Sequence, residues 1–280
     1  MKKFIAAFDG LNFSQSTLRY ATFLSRRANA HLVGVFLEDF TRHSYGMADV
    51  THYEGSFDMH IREMNQKDRE DRDEAIDLFE QACRESGLEF SVHRDRNIAL
   101  QELLHESVYS DLLIIHSGET MTRFEEKKPS RFIRELLCEV QCPVVLVPDD
   151  YRPVDSFCLL YDGAPASVYA VKMFSYLFPG LKNFEYEVVT VKDPAGSLHL
   201  PDAHLMKEFM KRHYPGAEYK VLQGDPEDVL SEYLEQENRN GLIVLGAYSR
   251  GRVSRWFRAS MADVLAKNIQ APLFIAHNKS

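Results

Sequence analysis

The chain has 280 residues, of which 45% are hydrophobic and 27% charged, so it can bury a full core and has room for about two domains of ordinary size. Its net charge of −9 argues against a broad phosphate-tracking face, and so against a nucleic-acid binder, while leaving room for local basic clusters. No apolar stretch approaches the ~20 residues of a membrane helix, and the start, Met1 to Asp9, meets charge and a turn too early for a signal peptide; a cytoplasmic location is expected. The four cysteines, Cys83, Cys138, Cys142 and Cys158, sit in patterned apolar segments and read as reduced packing residues, with no metal site expected.

Phe4 to Gly10 (FIAAFDG) reads as a buried first strand ending in Asp-Gly, followed by a helix over Ser14 to Asn29 and a strand over His31 to Glu38. Next comes a long segment, Asp39 to about Asp73, loop-like at first and then a charged helical run, Arg62 to Glu74. It carries His43, His52 and His60, expected as surface histidines. Asp111 to His116 (DLLIIH) and Pro143 to Pro148 (PVVLVP) are two further strands, after which prolines 148 and 153 bracket a polar turn where strand pairing must stop.

The pattern then repeats. Phe157 to Gly163 (FCLLYDG) matches the first strand, with a helix over Ala166 to Phe178, and Glu185 to Lys192 matches the second. Gly241 to Gly246 (GLIVLG) matches Asp111 to His116, and Pro272 to His277 (PLFIAH) matches the last strand. Both halves read βαβαβαβαβ, and strands that are apolar throughout belong to a parallel sheet covered on both faces. The expected units are residues 1–149, with the long segment inserted after the second strand, and residues 154–280.

Ligands of open parallel sheets collect beyond the strands' carboxyl ends, where strand order reverses. In the second half that directs attention to Asp162, Val191 and the loop from Gly246 to Ser260, which holds Arg250, Arg252, Arg255 and Arg258. Guanidinium forks suit phosphate oxygens, although such arginines can equally form a solvated face or pair with acids. Ser260 is expected to cap the helix that begins at Met261.

Asp162, Gly246 and Ser260 in this spacing resemble the universal stress proteins, whose fold is a five-stranded parallel sheet of the adenine-nucleotide alpha-hydrolase type. The resemblance spans both halves. That family's nucleotide binders carry an Asp after the first strand and a Gly, two residues, Gly, nine residues, Gly and Ser/Thr signature; here Ser249 and Ala259 replace the second and third glycines. The resemblance implies two tandem domains of this type and a stress-response binding protein taking ATP or another adenine nucleotide, with magnesium as a candidate companion. Asp162 would contact ribose or adenine, Val191 and Leu245 would line the base pocket, and Gly246, Ser249, Arg250, Ala259, Ser260 and Met261 would surround the phosphates.

In the first half Asp9 and Leu37 survive but the glycines are mostly missing, and Glu119, Glu125 and Glu126 would repel a phosphate, so this site is expected to be degenerate. No catalytic motif is present, which favours a binder over its alternatives, a slow ATPase or phosphotransferase, or a nucleotide-free scaffold. The final strands, Val144 to Val147 and Leu273 to Ala276, are expected to pair as an internal pseudo-dimer or to serve a homodimer, and the first half with its insert to meet a protein partner.

Overall fold

The computed structural model describes residues 1–39, 57–122, 124–181, 184–237, 240–246 and 259–277. The first half runs β1 (Lys2–Phe8), α1 (Gln15–Ala28), β2 (Ala30–Asp39), α2 (Phe57–Glu85), β3 (Phe90–Asn97), α3 (Ala99–Val108), β4 (Leu112–His116), α4 (Arg131–Glu139) and β5 (Val144–Val147). The second runs β6 (Ser156–Leu160), α5 (Pro165–Leu177), a 3₁₀ turn (Pro179–Leu181), β7 (Glu185–Lys192), α6 (Ala203–His213), β8 (Glu218–Gln223), α7 (Pro226–Glu237), β9 (Gly241–Gly246), α8 (Ala259–Asn268) and β10 (Leu273–Ala276). No described helix is long and apolar enough to cross a membrane.

All ten strands form one sheet in the order β3-β2-β1-β4-β5-β10-β9-β6-β7-β8. Every neighbouring pair is parallel except β5 with β10, which are antiparallel with Phe274 opposite Val145. The two final strands thus pair with each other, and among the described residues β3 and β8 are the edges of the sheet. Both edges carry charged side chains, Arg94 on β3, Glu218 and Lys220 on β8, which discourage pairing with another chain.

Because side chains alternate along a strand, the sheet sorts its apolar residues into two layers. Phe4, Ala6, Phe8, Val145, Val147, Phe157, Leu159 and Phe274 pack beneath α1, α2, α5 and α6. Ile5, Ala7, Val144, Leu146, Cys158, Leu160, Leu273 and Ile275 pack beneath α3, α4, α7 and α8. Each layer is continuous from one half to the other. Phe4 of β1 meets Phe178 edge-on at 5.7 Å, and Lys2 Nζ donates to the carbonyls of both Ala28 (3.3 Å) and Leu177 (2.6 Å), the C-terminal ends of α1 and α5. Helix carbonyl ends favour a cation, so one lysine ties two helix termini from different halves.

The helices begin and end where local chemistry dictates. Ser14 caps α1 by accepting from Thr17 N at 3.1 Å, and Asn29 closes it in the left-handed region at φ 48°. The charged run expected over Arg62 to Glu74 belongs to a longer helix: α2 has 29 residues against 11 for its counterpart α6, so part of the first half's extra length is helical. Residues 40–56, with His43 and His52, lie outside the described set. Two smaller expectations are corrected. Helix α8 starts at Ala259, so Ser260 lies inside the first turn instead of capping it. Cys138 is exposed on α4, whereas Cys83, Cys142 and Cys158 are buried packing residues, and all four are free thiols.

Candidate functional site

In the second half the sheet order β9-β6-β7 places three strand ends side by side at the point where strand order reverses. Asp162 follows β6, Val191 lies near the end of β7, and Leu245 and Gly246 end β9. The Asp162 carboxylate is half-buried and Oδ1 accepts from Ala164 N at 2.8 Å, closing the turn that launches α5 at Pro165. Asp162 therefore has a local turn-forming duty whatever else it does.

Gly246 is fixed by packing. A Cβ built on it would lie 2.2 Å from Ala166 O and 2.6 Å from Ser167 N, so the end of β9 touches the first turn of α5 backbone to backbone. Val191, Leu245 and Met261 are all buried and join the apolar layer that includes Leu230 and Leu234 of α7. The sequence-predicted base-pocket residues are thus core residues at the strand ends. Ala259 and Ser260 belong to the first turn of α8; Ser249 and Arg250, with the other loop arginines, lie outside the described residues.

The first half has the same arrangement of strand ends, with β2, β1 and β4 adjacent, and a different filling. Asp9 is 2% exposed, and its Oδ1 accepts from Leu11 N (2.8 Å) and Asn12 N (3.0 Å). Leu37 is likewise buried in the core. The long helix α2 closes over this turn, Arg72 Nε donating to Asp9 O at 3.3 Å, and Gly10 at φ +72° accepts the arginine stem where a Cβ would meet it at 2.8 Å.

The sequence reading missed the role of Glu119. It is buried, its Oε1 accepts from Thr120 N (2.9 Å) and Met121 N (3.0 Å), and its carboxyl is near enough to that of Asp9 for the two to interact electrostatically. Asp9 Oδ2 is buried with no hydrogen-bond partner, a need that a proton held on the neighbouring Glu119 carboxyl would meet. Desolvation first, then the neighbouring Asp9 charge, holds the Glu119 carboxyl well above the usual range; burial raises Asp9 as well. A signal was available: Glu119 lies three residues beyond β4, the strand hydrogen-bonded to β1. Instead of facing an incoming phosphate, this acid is turned inward onto the Asp.

Above the pair is a cavity of about 570 Å³, lined by Asn12, Ser14, His116, Glu126, Lys128 and Asp149 among others. His116 Nε2 and Asp149 Oδ1 are 3.0 Å apart, and Lys128 also pairs with Asp149. Burial, then Lys128, lowers the His116 pKa despite Asp149.

The buried pair makes stability depend on pH. Because the folded-state pKa values of Glu119 and Asp9 are raised, their contribution is fully present below the ordinary carboxylate range and is lost as pH rises through the folded values. Glu119→Gln keeps an oxygen for Thr120 N and Met121 N and offers Asp9 Oδ2 an N–H without ionising. We expect it to flatten the decline from about pH 4 upward and to raise stability at pH 8 by roughly 1–3 kcal/mol. Urea midpoints measured from pH 4 to 8 check this; parallel profiles for variant and wild type would remove the shared proton from the account.

No protein-family model and no curated protein matches this sequence. Solved structures do. A universal stress protein from Archaeoglobus fulgidus superposes with a TM-score of 0.71 at 14% identity, covering 98% of each chain. A functionally unknown protein from Pseudomonas aeruginosa gives 0.58 at 10% identity over 99% of this chain and 92% of its own. A candidate universal stress protein from the same species gives 0.55 at 10% over 99% and 93%. With the strand order and the two matching sets of strand ends, these likenesses establish that the chain has the universal stress protein fold in tandem, both halves contributing to one sheet.

Proposed function

We propose that this chain is a regulatory binding protein of the universal-stress type that takes an adenine nucleotide, ATP first among those to be tried, at the carboxyl ends of β6, β7 and β9. The observation carrying this reading is the contrast between two equivalent aspartates. Asp162 is half-buried, whereas Asp9 is sealed beneath Glu119 and α2. A ribose or base can be approached by the first kind of carboxylate and not by the second. The first-half cavity also carries Glu125, Glu126 and Asp149 against Lys128, an acidic balance that disfavours a polyphosphate.

The two units are 1–149 and 154–280 in this reading, with the connection through Tyr151 packed against α1, where its ring lies 4.7 Å from that of Tyr20. Binding without turnover fits a site whose described residues offer turn and packing groups and no pair of catalytic acid and base. Calorimetric titration of ATP and AMP tests the proposal. Stoichiometric uptake weakened at least ten-fold in Asp162→Ala is expected, and ligand at 100 times its dissociation constant should stabilise the chain by about 2.7 kcal/mol. No heat and no thermal shift would leave an interaction protein on this fold; ATP turnover lost in the same variant would favour an enzyme.

A further inference from the structure

A second cavity, of about 440 Å³, opens on the α1 face and is lined by Arg19, Arg26, Arg27, Phe23, Ser86 and Tyr151, among others. Ser86 follows the end of α2, and Arg26 and Arg27 are in the last turn of α1. The cavity therefore lies toward the helices' C-terminal ends, away from the strand carboxyl ends where the nucleotide is proposed to bind.

The three guanidinium groups have no carboxylate within salt-bridge distance among the described residues, in a chain with 42 acidic residues. Arg84, Arg94, Arg131 and Arg134, by contrast, each meet one. Two of the three are instead held by rings: Arg19 over Tyr151 at 4.0 Å, and Arg27 between Phe23 at 5.5 Å and Phe184 at 5.3 Å. The carbonyl end of α1 accounts for cations at Arg26 and Arg27. It does not account for Arg19, two turns earlier, converging on the same cavity. A ring-stacked guanidinium keeps its N–H edge available, so these heads are oriented before a ligand arrives.

We propose that this cavity binds a polyphosphate chain. Arg19 and Arg26 are separated by about 10 Å along the helix, more than one phosphate spans, while successive phosphoanhydride units present oxygens along such a length and match guanidinium forks. The volume is that of a small-molecule site. Because Arg19 and Arg27 belong to the first half, Phe184 to the second and Tyr151 to the connection, the ligand braces the junction between halves.

Titration of the full chain with inorganic tripolyphosphate, with orthophosphate alongside, tests the site. We expect tripolyphosphate to bind at least ten-fold more tightly than orthophosphate. That affinity should fall at least ten-fold in the Arg19→Gln/Arg27→Gln double variant, weaken steeply with salt, and be unchanged in Asp162→Ala. Arg19→Lys/Arg27→Lys, which keeps charge and loses the forks, should fall between wild type and the glutamine variant. Both arginines are exposed, and unchanged circular-dichroism melts without ligand will show that the variants fold. If ATP displaces tripolyphosphate from the arginine-dependent site, the natural source is a nucleoside polyphosphate; if it does not, an inorganic chain. Equal affinity for wild type and the glutamine variant, or binding lost in Asp162→Ala alone, would overturn the proposal without touching the nucleotide reading.

Discussion

An aspartate substituted for Phe274 or Val145 is expected to unfold the chain or drive it into aggregates. Both side chains are wholly buried and stand opposite each other across the antiparallel β5–β10 seam. The seam has few rungs, with Leu273, Phe274 and Ile275 facing Leu146, Val145 and Val144. Its strength comes from what lies above and below it. Phe274 meets Phe174 edge-on at 5.1 Å and Phe178 at 6.4 Å, so one ring joins the seam to α5.

Truncation alone, Phe274→Ala, should cost about 3–5 kcal/mol, a large share of the ~5–15 kcal/mol that holds an ordinary domain together. A carboxylate adds the penalty of an unpaired buried charge. If the halves separated and remained folded, two apolar strand edges would meet solvent and other chains. Denaturant unfolding and size-exclusion chromatography read both consequences; an unchanged midpoint with a monodisperse peak would mean that the seam does not hold the halves.

Gly246→Ala should destabilise the chain by about 3 kcal/mol, near the upper end for overpacking. The atoms a Cβ would strike are backbone: Ala166 O at 2.2 Å, Ala166 C at 2.3 Å and Ser167 N at 2.6 Å. Backbone cannot swing aside as a side-chain tip can, so relief requires the start of α5 to move away from β9. That turn is launched by Asp162, so the same substitution should displace Asp162 and weaken nucleotide binding as a consequence of lost structure. A urea midpoint near that of wild type, with affinity alone reduced, would show instead that the glycine is present only for a ligand's approach.

The sequence by itself determined the repeat, the parallel α/β class, the pairing tendency of the last strands and the positions of Asp9 and Asp162 after the first strand of each half. These are legible because each rests on a local pattern: a run apolar on both faces reads as a buried strand, and Asp-Gly reads as a turn. Helix α5, expected over Ala166 to Phe178, spans Pro165–Leu177 for the same reason. Contacts between segments distant in sequence were decided only by the tertiary structure. Nothing local in Glu119 distinguishes an acid facing solvent from one folded inward onto Asp9 more than a hundred residues earlier; the adjacency of β1 and β4 decides it. Gly246 fits a phosphate loop equally well in sequence, and only the arrival of α5 against it gives it a packing role. Arg19, Arg26 and Arg27 read as an ordinary basic helix face until Ser86, Tyr151 and Phe184 fold around them, because a cavity belongs to no single segment.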